Sequence, residues 1–181
     1  MRKKLGETKV GRSRAKTKAE ELEFFEELAC TNTALRRAAR RMGNLYDEAF
    51  AAVGLKATQA GLLAEIERLT TSNEGVPPTL QDLATKLAIQ ISAVTHALRP
   101  LIRGGLVELQ PDEQDRRAKH AALTRLGAAR VRAAFVHWTA VNQRVEDVLG
   151  PESAATLRAL ADYVSSDEFL AAFEDTSAEN A

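Results

Sequence analysis

Four side chains able to form hydrogen bonds recur at helical spacing in one segment of the chain. They are Ser92, Thr95, His96 and Arg99, and residues three or four apart lie on one face of a helix. Hydroxyl, imidazole and guanidinium groups can address the edges of base pairs, and a small neighbour such as Ala93 lets a helix enter a major groove about 12 Å wide. The segment therefore predicts contact with DNA bases.

A second polar cluster follows between two strand-like runs, residues 106–110 and 119–124. It contains Asp115, Arg116 and Arg117, with Lys119 opening the second run. Arginine is favoured in the minor groove by the negative potential there. The two runs predict a β-hairpin whose tip contacts the minor groove or phosphates. Each residue of the two clusters could also be an ordinary surface residue, so the prediction depends on their order and spacing.

Local signals place these clusters on a helix-turn-helix followed by a wing. Thr79 and Asp82 form the pattern of a capping box, and the two prolines before them exclude an earlier helix start. The second helix of this motif is predicted over residues 90–103, and a helix capped by Thr58 is predicted to run to Leu69 before the motif begins. Gly104 and Gly105 can take the positive φ that ends a helix. Two helices joined by a short turn and followed by a hairpin predict a winged helix.

Three runs carry a resemblance to a known family: LAxxL, SAVTHALRPLIRGGLVE and DEQDRRAKHAALT. In these runs the sequence resembles the MarR family of bacterial transcriptional regulators, and the likeness extends over residues 28–163. The resemblance implies a dimeric winged-helix repressor of a pseudo-palindromic operator in double-stranded DNA. A cytoplasmic location is predicted separately, from the lack of a visible signal peptide or membrane span and from the single cysteine. The resemblance also implies that Asp115 orients Arg117 into the minor groove. The residues predicted to bind DNA are Thr79, Gln90, Ser92, Ala93, Thr95, His96, Arg99, Asp115, Arg116, Arg117 and Lys119.

The fold predicted for the whole chain is mainly α, a winged helix-turn-helix with helical dimerisation regions on both sides. Five segments are expected: a basic disordered tail over 1–18, an N-terminal dimerisation helix over 19–57, and the DNA-binding domain over 58–124. C-terminal dimerisation helices over 125–173 and an acidic tail over 174–181 complete the chain. The helix after the wing has two apolar faces, which is typical of a helix packed between its own domain and a partner subunit.

The resemblance further implies a cleft for a small anionic, often phenolic, effector between the dimerisation helices and the winged helix. Arg36, Tyr46 and His137 are the predicted effector-binding residues, since a cation beside apolar side chains suits an aromatic acid. The alternative is that Arg36 pairs with a glutamate across the dimer and that His137 is a satisfied core histidine.

The composition of the chain argues against several other classes of function. The 181 residues carry 25 basic and 25 acidic side chains, a net charge of zero that disfavours a non-specific nucleic-acid coat. No run is long enough to span a membrane, no signal peptide is visible, and the single cysteine excludes an internal disulfide. The histidines lack metal-ligand spacing, so neither an enzyme nor a cofactor is expected. Two alternatives stay open, a thiol redox sensor built on Cys30 and a winged helix used for protein interaction.

Overall fold

The computed structural model describes residues 30–112, 115 and 118–179. By its contacts the chain divides into two compact units, one ending at Met42 and the other beginning at Gly43. The described residues form seven α-helices and one two-stranded sheet. They are α1 (Thr31–Phe50), α2 (Ala57–Ser72), α3 (Leu80–Lys86), α4 (Ile91–Arg103), β1 (Val107–Pro111), β2 (Lys119–Leu123), α5 (Arg125–Leu149), α6 (Pro151–Val164) and α7 (Asp167–Glu179), with a short 3₁₀ turn (Ala51–Val53) after α1. The predicted mainly α fold with a hairpin wing is confirmed.

Both helices of the helix-turn-helix are bounded by local hydrogen bonds. The backbone amide of Asp82 donates to the Thr79 hydroxyl over 3.1 Å, and the Thr79 amide donates to the Asp82 carboxylate over 2.8 Å. This is the predicted capping box. At the other end of α3, Ala88 takes a positive φ of 51°, and the Ile89 amide donates to the Ala84 carbonyl. That pattern closes a helix as a Schellman motif, with alanine in the position usually held by glycine.

The helix α4 runs through Pro100 and ends in a second motif of the same kind. Gly105 has a φ of 67°, and the Leu106 amide donates to the Leu101 carbonyl over 2.9 Å. Of the two glycines expected to allow positive φ, Gly105 uses it and Gly104, at −79°, does not.

The wing is an antiparallel pair that reaches back to the segment before α3. Val107 pairs with Leu123, and the register continues to Pro111 and Lys119. The amide of Ala121 donates to the Pro78 carbonyl over 2.9 Å, so β2 is also tied to the chain that leads into the capping box. The hairpin is therefore attached to the helix-turn-helix by backbone hydrogen bonds.

One apolar core holds the winged helix together. Leu63 and Ile66 of α2, Leu83 of α3 and Leu98 and Leu101 of α4 expose 1% of their surface or less. Burying such a side chain stabilises a fold by about 1.5–3 kcal/mol. The core thus fixes α4 against α2 and α3 and leaves its polar face outward.

The helix α5 begins at close quarters with β1. Thr124 caps it by accepting the amide of Gly127 over 3.0 Å. Gly127 is buried, and a Cβ atom at this position would overlap the carbonyl oxygen of Leu106. Only a residue without a side chain fits here.

Three expectations need correction or lie outside the described residues. The helix before the helix-turn-helix was expected to be capped by Thr58, but this helix, α2, begins at Ala57, whose amide donates to Asp47 over 2.6 Å. The segment 174–181 was expected to be unstructured, but α7 continues to Glu179. Residues 1–29, which include the basic tail and the start of the first predicted helix, lie outside the described residues.

Candidate nucleic-acid interface and ligand cavity

The outer face of α4 carries the predicted base-reading residues. Ser92, Ala93, His96 and Arg99 are all exposed. Ser92, His96 and Arg99 follow one another at intervals of four and three residues, so they form one row along the helix. The buried residues of the same helix, Val94 among them, face the opposite way. The structure therefore brings these polar groups together on one accessible surface.

Two other residues predicted to bind DNA have hydroxyl groups that already form hydrogen bonds within the protein. The Thr95 hydroxyl donates to the Ile91 carbonyl over 2.9 Å inside its own helix. The Thr79 hydroxyl accepts from the Asp82 amide and donates to the Asp82 carboxylate over 2.8 Å, so the cap occupies it. Gln90 is exposed at the position that precedes α4.

Two basic residues that were not predicted lie near this row of side chains. Arg103 is exposed and lies four residues after Arg99, on the same face of α4. Lys56, at the start of α2, borders a groove that His96, Arg99 and Arg103 also line. The helical repeat of the row, extended by one more turn, would have revealed Arg103. Lys56 comes from another helix, and only the fold shows that it lies here.

On the wing, Lys119 is exposed at the start of β2 and Asp115 is exposed at the tip. The backbone amide of Asp115 donates to the Asp112 carboxylate over 2.7 Å. Arg116 and Arg117 lie outside the described residues, so the pairing of Asp115 with Arg117 stays a prediction.

His120 of β2 links the wing to the segment before α3. Its Nδ1 lies 2.6 Å from the Pro77 carbonyl oxygen, and its Nε2 lies 2.8 Å from Oδ2 of Asp112. The hydrogen bond to Asp112, followed by that to Pro77, raises the pKa of His120 above its ordinary value. In the sequence this residue is only one of three scattered histidines.

An apolar cavity of about 410 Å³ lies between α2, α5 and the end of α1. None of its lining residues is charged, and aromatic rings form much of its wall. The lining residues are Tyr46, Phe50, Leu55, Ala57, Ala60, Gly61, Leu63, Ala64, Val131, Ala134, Phe135 and Trp138. Its volume falls in the range of about 300–1,000 Å³ that is usual for small-molecule sites.

Of the three predicted effector residues, Tyr46 lies on this cavity. Its hydroxyl donates to Oδ1 of Asn142 over 3.1 Å, and burial raises the pKa of the phenol. His137 does not line the cavity, because it lies about 100° around α5 from Trp138, which does. Arg36 belongs to the unit that ends at Met42, where its side chain is exposed.

Cys30 is exposed immediately before α1. The pKa of its thiol is lowered, mainly by a hydrogen bond with the side chain of Thr33 and then by the Thr33 backbone. A lowered pKa and exposure are what a reactive thiol requires.

Two other kinds of site are absent from the described part of the chain. No cluster of three or more histidine, cysteine or acidic side chains there could hold a metal ion. Among the described helices, none combines the length and apolar character that a bilayer span requires.

Residues 58–119, from α2 to the start of β2, match the model of the MarR family. The chain carries a MarR-family domain. The matched segment contains the capping box, the row on α4 and the wing, which confirms the resemblance seen in the sequence. The prediction of a transcriptional regulator rather than an enzyme is also confirmed.

Solved structures give the same fold over a longer stretch of chain. The MarR-family domain and its flanking helices are similar to the transcriptional regulator MosR of M. tuberculosis in complex with DNA, with 29% identity and a TM-score of 0.64. The match covers 75% of this chain and 96% of that one. A cysteine-to-serine mutant of MarR from E. coli, complexed with operator DNA, matches with 23% identity and a TM-score of 0.67, over 77% of this chain and 96% of that one.

BpsR of Bordetella bronchiseptica, described by its regulation of DNA binding by 6-hydroxynicotinic acid, has 22% identity and a TM-score of 0.64. That match covers 76% of this chain and 94% of BpsR. The comparison with curated protein sequences gave no significant match.

Proposed function

We propose that this chain is a homodimeric repressor that binds a pseudo-palindromic DNA operator and is released from it by a small aromatic effector. The observation that carries the proposal is the exposed row of Ser92, His96, Arg99 and Arg103 on α4. MosR, which shares the fold at 29% identity, is described in complex with DNA. That likeness supports the assignment of the row to DNA.

The chemistry of the row divides between bases and phosphates. Ser92 and His96 are short and near the start of α4, where a recognition helix contacts base edges. Arg103 and Lys56 lie beside the groove at the other end, where a cation suits a phosphate. Because the whole chain is neutral, the attraction to DNA depends on local concentrations of cations such as this one.

The segment assignments predicted from the sequence become part of this proposal. Residues 58–124 bind DNA, and the helices on either side dimerise. In the wing, Asp115, Arg116, Arg117 and Lys119 contact the minor groove or the phosphates. Thr79 acts chiefly as the cap of α3, since its hydroxyl is already engaged by Asp82.

Replacing Ser92 and His96 together by alanine is expected to reduce sequence specificity. The full-length protein would first select duplexes from a random library, and gel shifts would then compare the selected duplex with a scrambled one. Base contacts are worth about 1–3 kcal/mol each, so the preference for the selected duplex should fall by roughly tenfold or more. Ser153→Ala, at an exposed position of α6, is the matched control. An undiminished preference in the double variant would show that α4 does not read bases.

The cavity supports the effector part of the proposal. It lies where α5 meets α2 and the end of α1, so a bound molecule would contact both a dimerisation helix and the DNA-binding domain. Since no lining residue is charged, we assign the aromatic ring of the effector to the cavity and any carboxylate to its opening. We expect two states of the dimer, one with its recognition helices placed for DNA and one with them misplaced. A ligand can release DNA only to the extent that it binds the second state more tightly than the first.

Aromatic acids and their uncharged amides, supplied in matched pairs, are expected to raise the melting temperature of the wild type. At a ligand concentration of about 100 times Kd the stabilisation would be about 2.7 kcal/mol. Ala64→Phe should remove it, because Ala64 lines the cavity and a phenyl group there would occupy the space of the ligand. Arg36→Ala tests whether Arg36 pairs with the carboxylate of the effector. If it does, this variant should bind the acids more weakly and bind the uncharged amides as the wild type does.

The thiol alternative is kept because Cys30 is exposed and its pKa is lowered. The DNA-release assay distinguishes the two effectors. Release of wild type by an organic hydroperoxide, with Cys30→Ser resistant, would establish the thiol route. Equal behaviour of the two proteins would exclude it and leave the cavity as the site of control.

A further inference from the structure

The imidazole of His120 is held between two oxygen atoms that cannot donate a hydrogen. One belongs to the Pro77 carbonyl, 2.6 Å from Nδ1, and the other to the Asp112 carboxylate, 2.8 Å from Nε2. A neutral imidazole has one N–H group, whereas the imidazolium has two. Both hydrogen bonds can therefore exist together only when His120 is protonated.

These two oxygens belong to parts of the domain with different tasks. Pro77 lies just before the Thr79 cap of α3, whereas Asp112 lies at the end of β1 where the wing tip begins. The Asp112 carboxylate uses its other oxygen to accept the Asp115 amide over 2.7 Å. The Asp112 amide in turn donates to the Ala118 carbonyl over 3.2 Å. One carboxylate thus connects the ring of His120 with the backbone of the tip.

Among the described residues, backbone hydrogen bonds attach the hairpin to the segment before α3 only through the middle of β2. The Ala121 amide donates to Pro78, and Thr79 forms an isolated bridge with His120. The side chains of His120 and Asp112 extend this attachment to the tip. Both are largely buried, with 16% and 27% of their side-chain surface exposed.

We propose that protonated His120 and Asp112 form a clamp that positions the wing for DNA, so that DNA binding weakens when His120 loses its proton. The clamp rests on the proposed function, since the wing needs positioning only if it contacts DNA. His120 and Asp112 are positioning residues here, and the residues that touch DNA are those of α4 and the tip.

The charges around His120 favour the imidazolium. Asp112 faces it from the end of β1, and Asp82 of α3 adds a further attraction. Asp82 is itself engaged by Thr79. Lys119, the neighbouring cation on β2, is exposed, as is Asp115 at the tip.

Loss of the proton has two consequences for DNA binding. One of the two hydrogen bonds must break, which interrupts the link from Pro77 through His120 to Asp112 and the Asp115 amide. The wing also loses one positive charge, so its attraction to the phosphates weakens. Because the pKa of His120 is raised in the folded protein, the clamp is complete below the ordinary histidine pKa and is lost as the pH rises through the raised value.

Titration of the ring nitrogens tests the clamp without DNA. In ¹⁵N NMR spectra of the free full-length protein, both nitrogens of His120 should be protonated at acidic pH and should titrate with a pKa above the ordinary value of about 6.5. Asp112→Asn should lower this pKa. Glu108→Gln removes a carboxylate from the same strand and should leave it unchanged, since the carboxylate of Glu108 accepts from Gln110. A His120 pKa at or below the ordinary value, or no change of that pKa in Asp112→Asn, would overturn the clamp.

Binding to the duplex selected by the wild type tests its role. From about one pH unit below to about one pH unit above the His120 pKa found by NMR, wild-type Kd should rise roughly tenfold more than that of His120→Gln. Both proteins keep His96 and His137, so the difference between the two profiles isolates His120. Asp112→Asn should shift the pH dependence to lower pH, in step with its lowered His120 pKa, and Glu108→Gln should retain the wild-type profile.

The outcomes separate the two proposals. If the wild type selects no duplex at either pH, the proposed function fails and the positioning role fails with it. If the wild type binds and His120→Gln follows the same pH profile, the positioning role alone is overturned. Melting curves of each variant at both pH values ensure that the proteins compared are folded.

Discussion

A single methyl group added at Gly127 is expected to destabilise the protein by about 3 kcal/mol or more, at the upper end of the cost of overpacking. The Cβ atom of alanine would overlap the Leu106 carbonyl oxygen and lie 3.0 Å from its carbonyl carbon. That oxygen also accepts the Thr124 amide over 3.1 Å, so it cannot move without loosening the junction of the wing and α5. The position of the added Cβ atom is fixed by the backbone of α5, and the atoms it meets are backbone atoms of Leu106. No side-chain rotation can therefore relieve the overlap.

Chemical denaturation of Gly127→Ala and Gly61→Ala measures this effect against a matched control. Gly61 lies inside α2, and no atom lies within 4 Å of the place that an added methyl group would take. Alanine there should stabilise the protein by about 0.5–1 kcal/mol, because glycine weakens a helix interior. Equal stability of Gly127→Ala and the wild type would contradict the close packing of α5 on β1.

The second large effect is expected when the proposed dimer is broken at Leu160. This residue of α6 is 58% exposed, and Leu157 and Val164 lie on the same face at helical spacing. In α7, Phe173 is 63% exposed. Exposed apolar side chains on one helix face are typical of an interaction site, and a second copy of the chain would cover this face symmetrically.

Leu160→Glu should convert the dimer to a monomer and weaken binding to a two-half-site duplex by roughly 100-fold or more. The loss follows because a dimer binds its second half-site at a high effective concentration, an advantage of about 10²–10⁴. Sedimentation velocity and gel shifts on the same samples measure both effects. Ala155→Glu places the same charge on another exposed face of α6 and should remain dimeric. A wild type that sediments as a monomer at micromolar concentration would remove the basis of the prediction.

The sequence by itself determined the features that depend on neighbours along the chain. The capping box of Thr79 and Asp82, the positive φ at Gly105 and the cap at Thr124 were all predictable, since each involves residues a few positions apart. The two strands were predicted to within one residue, because turn residues and apolar runs bound them. The row on α4 was predictable for the same reason, and extending its repeat would have added Arg103.

What the sequence left undetermined depends on contacts between distant segments. His120 and Pro77 are 43 positions apart, and no local pattern indicates that a wing histidine meets the chain before α3. The cavity likewise combines side chains of three helices, which is why Tyr46 could be placed on it and His137 could not. The helix α7 continued into a segment whose composition suggested a tail.

Gly127 shows the division most clearly. In the sequence it is one glycine near the start of a helix, where the helical pattern around it continues without interruption. Only the packing of α5 against the Leu106 carbonyl makes a side chain there impossible. Hydrogen bonds within one turn are encoded by the residues that make them, whereas the closeness of two backbones is decided by the whole core that brings them together.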